Sequence, residues 1–331
     1  MADIKLQPIK DNGETVHMSN AVVGIDIGGT SIKLGLVTPR GKVLASGKVP
    51  TGAIVGDEDY KRVSDAIAAV AKQGGVDPQA IAAVGIDVPG VVLEDGTMTL
   101  MPNIALNLSG LLDYLRSDYP HANFRALNDA NAAAYGEAWL GAGDGADNAV
   151  MLTLGTGVGG GVVMRGRVIA GVHGAAGEVG HINVNPTETE PCGCGCKGCL
   201  EQYASAKGLI RLYREECEKD GAESIAIEHA TDALSVFNAA EVGNEQAIHA
   251  CDRLADYLAR ALSIIACTVD PEAFILGGGM CGGWDLFGET CKQRYREYAI
   301  NSCKQIPIRV ATLGNSAGYL GAARRALNSQ D

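Results

Sequence analysis

The pattern of apolar and polar residues along the chain alternates between short strands and amphipathic helices. An apolar run at 21–27 predicts a buried strand, and Val63, Ile67 and Val70 then recur at helical spacing. Further along, the apolar positions of residues 244–269 predict one long amphipathic helix. Strands that alternate with helices are typical of an α/β fold.

One arrangement of strand, glycine turn and strand occurs twice. AVVGIDI, GGTS and IKLGLVT form the first copy, and NAVMLTL, GTGVGGG and VVM form the second, which begins near Asn148. Such a repeat indicates an internal duplication. A chain of 331 residues is long enough for two lobes, and we expect a binding cleft between them.

These patterns predict four segments. Residues 1–20 are polar and aperiodic, which predicts a flexible tail. Residues 21–140 are expected to form the N-terminal α/β lobe, and residues 141–314 the C-terminal α/β lobe with a cysteine-rich loop. An Ala-rich helix within 315–331 is expected to pack back on the first lobe.

Charge and composition exclude several classes of protein. The formal net charge of -12 and the isoelectric point near 5.0 argue against binding to nucleic acid or to an anionic membrane. The sequence has neither an apolar run of the ~20 residues that span a bilayer nor the apolar core of a signal peptide. We therefore expect a cytoplasmic protein whose ten cysteines are reduced.

Three glycine-rich turns follow predicted strands and could let backbone amides contact a nucleotide. Neither of the first two turns matches the P-loop or the dinucleotide-binding fingerprint, because each runs from strand to strand. The alternative is that these glycines only tighten hairpins. Asp26 could hold a hydrated Mg²⁺ beside the first turn. The residues predicted to bind the nucleotide are Asp26, Gly28, Gly29, Thr30, Lys33, Gly155, Thr156, Gly157, Gly277, Gly278 and Gly279.

Asp129 lies between a predicted strand and an Ala-rich helix, and its position permits two interpretations. Aspartate is a preferred N-cap residue, so Asp129 could simply cap the helix. A carboxylate at a strand end near phosphate-binding turns is also suited to act as the general base of a phosphoryl transfer.

A histidine and four closely spaced cysteines predict a metal site. His181 precedes the run Cys192-Gly193-Cys194-Gly195-Cys196-Lys197-Gly198-Cys199. In a reducing compartment this combination indicates tetrahedral Zn²⁺. Three cysteines and the histidine would complete four ligands, which makes the predicted zinc structural.

Taken together, the DIGGT turn, the Asn-Asp pair, the GEVGH segment and the C-x-C-G-x-x-G-C-x-E run resemble the ROK family of sugar kinases and sugar-responsive repressors. The resemblance covers nearly the whole chain after the tail. It implies a two-lobed, actin-like duplicated fold, ATP and Mg²⁺ as cofactors, phosphorylation of a hexose at the 6-hydroxyl, and a homodimer.

The resemblance also implies residue roles. Asp129 matches the catalytic base, Asn103, Glu178, His181 and Glu201 match the sugar-binding positions, and His181, Cys192, Cys194 and Cys199 match the zinc ligands. Cys196 falls at a variable position, so we interpret it as a spare thiol, although a ligand swap is open. Asp87 stands where the family more often has a small residue.

The sequence therefore predicts an ATP-dependent hexose kinase that converts glucose to glucose 6-phosphate in glycolysis. A kinase for N-acetylglucosamine, N-acetylmannosamine or fructose with the same fold is the alternative. A sugar-responsive transcriptional regulator is less favoured, because the first twenty residues cannot supply a helix-turn-helix.

Overall fold

The chain forms two compact units in a computed structural model. The structure describes residues 5–7, 20–93, 98–100, 104–219 and 232–328. The first unit comprises residues 1–147, 161–176 and 312–331, and the second comprises residues 148–160 and 177–311.

The described strands are β1 (Lys5–Gln7), β2 (Val22–Ile27), β3 (Ser31–Val37), β4 (Val43–Pro50), β5 (Ala83–Val88), β6 (Val91–Val92), β7 (Met98–Leu100), β8 (Asn123–Asn128), β9 (Ala149–Leu154), β10 (Val158–Met164), β11 (Arg167–Ile169), β12 (Ala273–Gly277) and β13 (Ile308–Val310). The described helices are α1 (Asp57–Gln73), α2 (Leu108–Asp118), α3 (Asp129–Leu140), α4 (Glu201–Ala204), α5 (Ala206–Lys219), α6 (Ala233–Glu241), α7 (Glu245–Val269), α8 (Trp284–Tyr298) and α9 (Ala317–Leu327).

The two large sheets repeat one strand order. The first runs β1-β4-β3-β2-β5-β8 and the second runs β11-β10-β9-β12-β13, so without β1 the two orders are equivalent. In the first sheet β2, β5 and β8 are parallel, as β9, β12 and β13 are in the second. This correspondence is what the predicted internal duplication requires.

Glycines bring helix α9 unusually close to the first sheet. A Cβ atom at Gly24 would lie 1.7 Å from the carbonyl oxygen of Tyr319, and one at Gly85 would lie 1.8 Å from that of Ala322. On the helix itself, a Cβ at Gly321 would lie 1.8 Å from the carbonyl oxygen of Ala132 in α3. Only residues without a side chain permit these approaches.

The two longest sequence-predicted elements need small corrections at their ends. Helix α7 is confirmed and begins after Asn244, whose side chain accepts a hydrogen bond from the Ala247 amide at 2.8 Å. The C-terminal helix begins at Ala317, two residues later than predicted, because a 3₁₀ turn occupies Gly314–Ser316.

The units also differ from the expected segments. Residues 161–176, which the sequence assigned to the second lobe, belong to the first unit, as helix α9 does. Within the predicted tail, Lys5–Gln7 pairs as a strand with β4, and residues 1–4 and 8–19 lie outside the described residues. None of the described helices is long and apolar enough to cross a membrane.

Candidate active site

Asp129 is the first residue of α3, and the preceding residue caps that helix. The Asn128 side chain accepts a hydrogen bond from the Asn131 amide at 3.1 Å, so the N-cap is Asn128. The alternative that Asp129 serves as the cap is therefore wrong. Asn128 also donates to the carbonyl of Gly90 at 3.0 Å, which ties the end of β8 to the turn after β5.

One oxygen of the Asp129 carboxylate is fixed and the other has no described partner. Oδ1 accepts hydrogen bonds from the Ala130 amide at 2.8 Å and from Asn128 Nδ2 at 2.9 Å. Burial raises the pKa of Asp129 above its ordinary value, and the charge of Asp26 adds to this effect, whereas the two donors oppose it. A carboxylate oriented in this way can accept a proton through Oδ2.

The first glycine turn closes the hairpin of β2 and β3 beside Asp26. Asp26 and Lys33 are cross-strand partners, and their side chains form an ion pair of 2.9 Å. Gly29 and Thr30 are exposed, and their amides have no backbone hydrogen-bond partner among the described residues. The turn therefore presents free donors next to a neutralised carboxylate.

Asp87 is the cross-strand neighbour of Asp26 on β5, and its side chain is 0% exposed. Within the described part of the chain, neither of its carboxylate oxygens has a hydrogen-bond partner. Burial raises the pKa of Asp87 well above 3.8, and the charges of Asp26 and Asp129 raise it further. The raised pKa favours the protonated form of Asp87 in the folded protein.

The second glycine turn, Gly155-Thr156-Gly157, is held in the second unit by Glu201. Glu201 Oε2 accepts a hydrogen bond from the Val158 amide at 3.0 Å, and a Cβ at Gly157 would lie 2.1 Å from that oxygen. The other oxygen, Oε1, lies 3.8 Å from the sulfur of Cys192. Glu201 thus joins the turn to the cysteine-rich loop, a contact that the sequence did not indicate.

The loop gathers the four predicted metal ligands. Ligand atoms of His181, Cys192, Cys194 and Cys199 all lie within 4.8 Å of one another, and Cys196 is not in this group. The sulfurs of Cys194 and Cys199 are 3.7 Å apart, a spacing compatible with two thiolates on one zinc, since Zn–S bonds measure about 2.3 Å. Three sulfurs and one imidazole nitrogen are the donor set of a closed, structural zinc site.

The two nitrogens of His181 face different groups. Nδ1 lies 3.9 Å from the sulfur of Cys192, and Nε2 lies 3.9 Å from Oε2 of Glu178. If Nδ1 binds the metal, Nε2 carries a proton and remains a directed donor. Glu178 is 55% exposed at its side chain and can accept a hydrogen bond from a ligand.

Without a metal ion, the groups around the cysteines do not stabilise several thiolates at once in this loop. The amide of Cys196 lowers the pKa of the Cys194 thiol, whereas burial and the neighbouring thiols raise that of Cys199 to about 12. A divalent cation would reverse this balance, because it stabilises each thiolate that binds it.

A polar network braces the loop against α5. The Tyr203 hydroxyl donates to Glu188 Oε2, and Arg211 forms an ion pair of 2.9 Å with the same oxygen. Asn185 donates to the Tyr203 hydroxyl at 2.9 Å. The sequence analysis did not predict this network, because the contacts arise from the folding of the loop against α4 and α5 and follow no fixed spacing in the chain.

The remaining predicted residues have separate outcomes. Gly277 ends β12, and Gly278, with a φ of +89°, would place a Cβ 2.3 Å from the Leu154 carbonyl oxygen, so the turn requires glycine there. Gly278 and Gly279 are exposed. Asn103 lies outside the described residues.

Comparisons with known proteins place almost the whole chain in one family. The sequence model of the ROK family matches residues 22–329. A glucokinase from Halalkalibacterium halodurans is 35% identical over 310 residues, which cover 90% of this chain and 92% of that protein. An N-acetyl-D-glucosamine kinase from Vibrio atlanticus is 32% identical, with 91% of this chain and 97% of that protein covered.

Solved structures of ROK proteins also match almost the whole chain. A ROK hexokinase from Thermus thermophilus has a TM-score of 0.76 at 31% identity and covers 94% of this chain and 99% of its own. A ROK family glucokinase from Streptomyces griseus in complex with glucose and AMPPNP has a TM-score of 0.66 at 32% identity, with coverages of 92% and 98%.

Proposed function

The chain belongs to the ROK family and is an ATP-dependent sugar kinase with the two-lobed, actin-like α/β fold, and we propose that its preferred substrate is glucose. The product would be glucose 6-phosphate, and Asp129 would be the general base. The observation that carries this assignment is the Asp129 carboxylate, in which two donors fix Oδ1 while Oδ2 has no described partner.

Asp129 would orient the attacking hydroxyl and take its proton. Phosphoryl transfer requires a positioned nucleophile more than a covalent catalyst, so a fixed carboxylate is sufficient chemistry for this step. The raised pKa of Asp129, whose largest cause is desolvation, makes the carboxylate a better proton acceptor than an aspartate with an ordinary pKa. Asn128 keeps the carboxylate in place without using Oδ2.

The glycine turns would bind the phosphates of ATP. Free amides of Gly29 and Thr30 can donate to phosphate oxygens, and the Thr30 hydroxyl adds a further donor. Bound Mg²⁺ would neutralise phosphate charge, with Asp26 as the group that holds its hydration shell. The same role on the second unit is proposed for Gly155, Thr156 and Gly157. Gly277, Gly278 and Gly279 are proposed to contact the nucleoside.

Sugar binding is proposed for Asn103, Glu178, His181 and Glu201. Glu178 and the Nε2 side of His181 present an acceptor and a donor that match vicinal hydroxyls. Structural Zn²⁺ held by His181, Cys192, Cys194 and Cys199 would fix the imidazole direction. Both oxygens of Glu201 already contact the protein. We therefore expect this residue to accept fewer hydrogen bonds from the sugar than a free carboxylate would.

N-acetylhexosamine is the second candidate substrate, because relatives at 30 to 32% identity are named N-acetyl-D-glucosamine kinases. Glucose is favoured, since the glucokinases among the relatives reach 35% identity. Fructose is the alternative substrate within the same fold. The protein is proposed to work as a homodimer in the cytoplasm.

A coupled assay of ADP release tests the substrate. We expect kcat/KM for glucose to exceed that for mannose, fructose, N-acetylglucosamine and N-acetylmannosamine by at least about tenfold, because a site built for one pattern of hydroxyls discriminates by hydrogen bonds. If kcat/KM is higher with an N-acetylhexosamine than with glucose, the N-acetylhexosamine is the preferred substrate and the glucose assignment is wrong. No sugar-dependent turnover with any hexose would overturn the proposal as a whole.

A further inference from the structure

A pocket of about 310 Å³ opens on the first unit, on the sheet face that α9 covers. Its polar lining comes from Lys33 on β3, from Ser46 and Lys48 on β4, and from Asn315 and Ser316 at the start of α9. We propose that this pocket is a binding site for a phosphate monoester, such as a sugar phosphate. The role goes beyond the proposed kinase reaction and does not depend on it.

The first argument is the charge of the two strands. Lys33 and Lys48 are direct cross-strand partners, which places both side chains on one face of the sheet. Like charges in this arrangement are unfavourable unless an anion compensates them. The Asp26 carboxylate pairs with Lys33 at 2.9 Å, whereas Lys48 is exposed and has no ion-pair partner among the residues that the structure describes.

The backbone register extends this row of cations. Lys5 on β1 lies opposite Lys48, so three lysine positions follow one another across β1, β4 and β3. Two acidic positions, Asp26 and then Asp87, follow Lys33 in the same row. Among the described side chains, Lys48 therefore carries a positive charge that no carboxylate neutralises, on the side of the sheet away from the acidic positions.

The second argument is the start of helix α9. This helix has eleven residues, and its N-cap Ser316 makes no side-chain capping bond. The amides of Ser316 and Ala317 already donate to the carbonyls of Leu313 and Gly314 in the preceding 3₁₀ turn, so the contribution of this helix start is the positive end of the helix dipole, which favours an anion. The side-chain hydroxyl of Ser316 and the side-chain amide of Asn315 add neutral donors beside the same pocket.

The size and remaining wall of the pocket indicate the ligand class. A volume of 310 Å³ is at the lower end of the usual range for small-molecule sites, about 300 to 1,000 Å³, which suits a sugar phosphate better than a nucleotide triphosphate. Tyr319, packed against Gly35 and only 7% exposed, supplies a rigid aromatic wall for the uncharged part. Free phosphate and a sugar phosphate both carry the phosphate group that the lysines would bind.

Lysine acylation of the full chain, read by peptide mass spectrometry, tests the site directly. Inorganic phosphate and glucose 6-phosphate are each added at matched ionic strength, with sodium chloride and glucose as controls. We expect either phosphate compound to slow the modification of Lys48 by at least about threefold and to leave exposed Lys72 on α1 unchanged. Equal modification of Lys48 with and without both compounds, or equal slowing of Lys48 and Lys72, overturns the proposal.

Calorimetric titration with the same two probes gives a second test that needs no catalysis. Lys48→Gln should raise the Kd of the tighter-binding probe at least tenfold, whereas Lys72→Gln should change that Kd by less than twofold. Phosphate bound instead at the Gly28–Thr30 turn would keep its affinity in Lys48→Gln, and that result contradicts the proposed pocket. Lys48 has no assigned role in the kinase reaction, so Lys48→Gln should also retain the wild-type kcat. Failure of the kinase assignment would leave both binding tests intact.

Discussion

Asp129 and Asp87 both lie at the ends of parallel strands, yet their surroundings give the two carboxyl groups different chemistry. Asp129 has two donors to one oxygen, whereas Asp87 has none among the described residues. Burial raises the pKa of both, but Asp87 is fully enclosed and also faces the charges of Asp26 and Asp129. The two donors stabilise the charged form of Asp129, whereas burial without a donor favours the protonated form of Asp87.

The first prediction concerns the pH dependence of catalysis. Asp129 must be ionised to accept a proton, so kcat/KM falls as pH decreases through its raised pKa. Asn128→Ser keeps an oxygen at the N-cap but removes the Nδ2 donor to Asp129. The acid limb of the pH profile should therefore move to higher pH in this variant. An unchanged or lower midpoint would show that Asp129 does not set the acid limb.

The second prediction concerns stability and Asp87. In the unfolded chain Asp87 loses its proton near pH 3.8, but in the folded protein it keeps the proton to a much higher pH. The folded state then binds more protons, so this group lowers the free energy of unfolding as pH rises between the two pKa values. Asp87→Asn removes this dependence.

Urea unfolding at a series of pH values measures the effect. The free energy of unfolding of Asp87→Asn, relative to wild type, should increase from acidic toward neutral pH. The matched variant Asp285→Asn changes an exposed aspartate and should follow the wild-type pH dependence. A constant difference between Asp87→Asn and wild type across the pH range would contradict a neutral, buried Asp87.

At the scale of elements, the sequence predicted the sites whose residues are close together in the chain, and it predicted that the C-terminal helix packs on the first lobe, but it did not predict individual tertiary contacts. The cysteine-rich loop could be recognised because its ligands are a few residues apart and zinc has fixed preferences. The close approach of α9 to Gly85 on β5, the strand of Asp87, joins residues more than two hundred positions apart, and no local pattern contains that distance. For the same reason, the grouping of residues 161–176 with the first unit was missed.

The third prediction separates the zinc ligands from the spare thiol. Cys194→Ala should lose the metal, whereas Cys196→Ala should keep about one zinc per chain. Of these two cysteines, only Cys194 contributes one of the four clustered ligand atoms. Metal analysis by mass spectrometry after dialysis measures this. Loss of the ordered loop should also weaken glucose binding in Cys194→Ala. Zinc retained in Cys194→Ala and lost in Cys196→Ala would show that the ligand set is wrong.

The fourth prediction concerns the contact between α9 and β5. Gly85→Ala would bring a methyl group 1.8 Å from the Ala322 carbonyl oxygen, so the helix must move away from the sheet. We expect a loss of roughly 3 kcal/mol or more in the free energy of unfolding, at or above the upper end of typical overpacking costs. Gly56→Ala, where no atom lies within 4 Å of the added carbon, should cost less than about 1 kcal/mol. Equal costs for the two variants would contradict the close packing of α9.

At the scale of the whole molecule, the repeated strand order explains why glycine turns occur in corresponding places of the two sheets. Each turn follows the first strand of its parallel set, β2 or β9, and leads into the strand beside it in the sheet, β3 or β10. The duplication was visible in the sequence because both copies kept the strand, glycine turn and strand pattern. The sugar specificity was not visible, because it depends on a few hydroxyl contacts that similar kinases vary.

The measurement that tests the central claim most directly is single-turnover phosphorylation of glucose by wild type and by Asp129→Asn, with glucose affinity measured separately by calorimetry. The asparagine keeps the shape of the side chain but cannot accept the proton, so the chemical step should slow by about 10²- to 10⁴-fold while the glucose Kd changes little. A near-normal rate of phosphoryl transfer in Asp129→Asn would contradict the assignment of Asp129 as the general base.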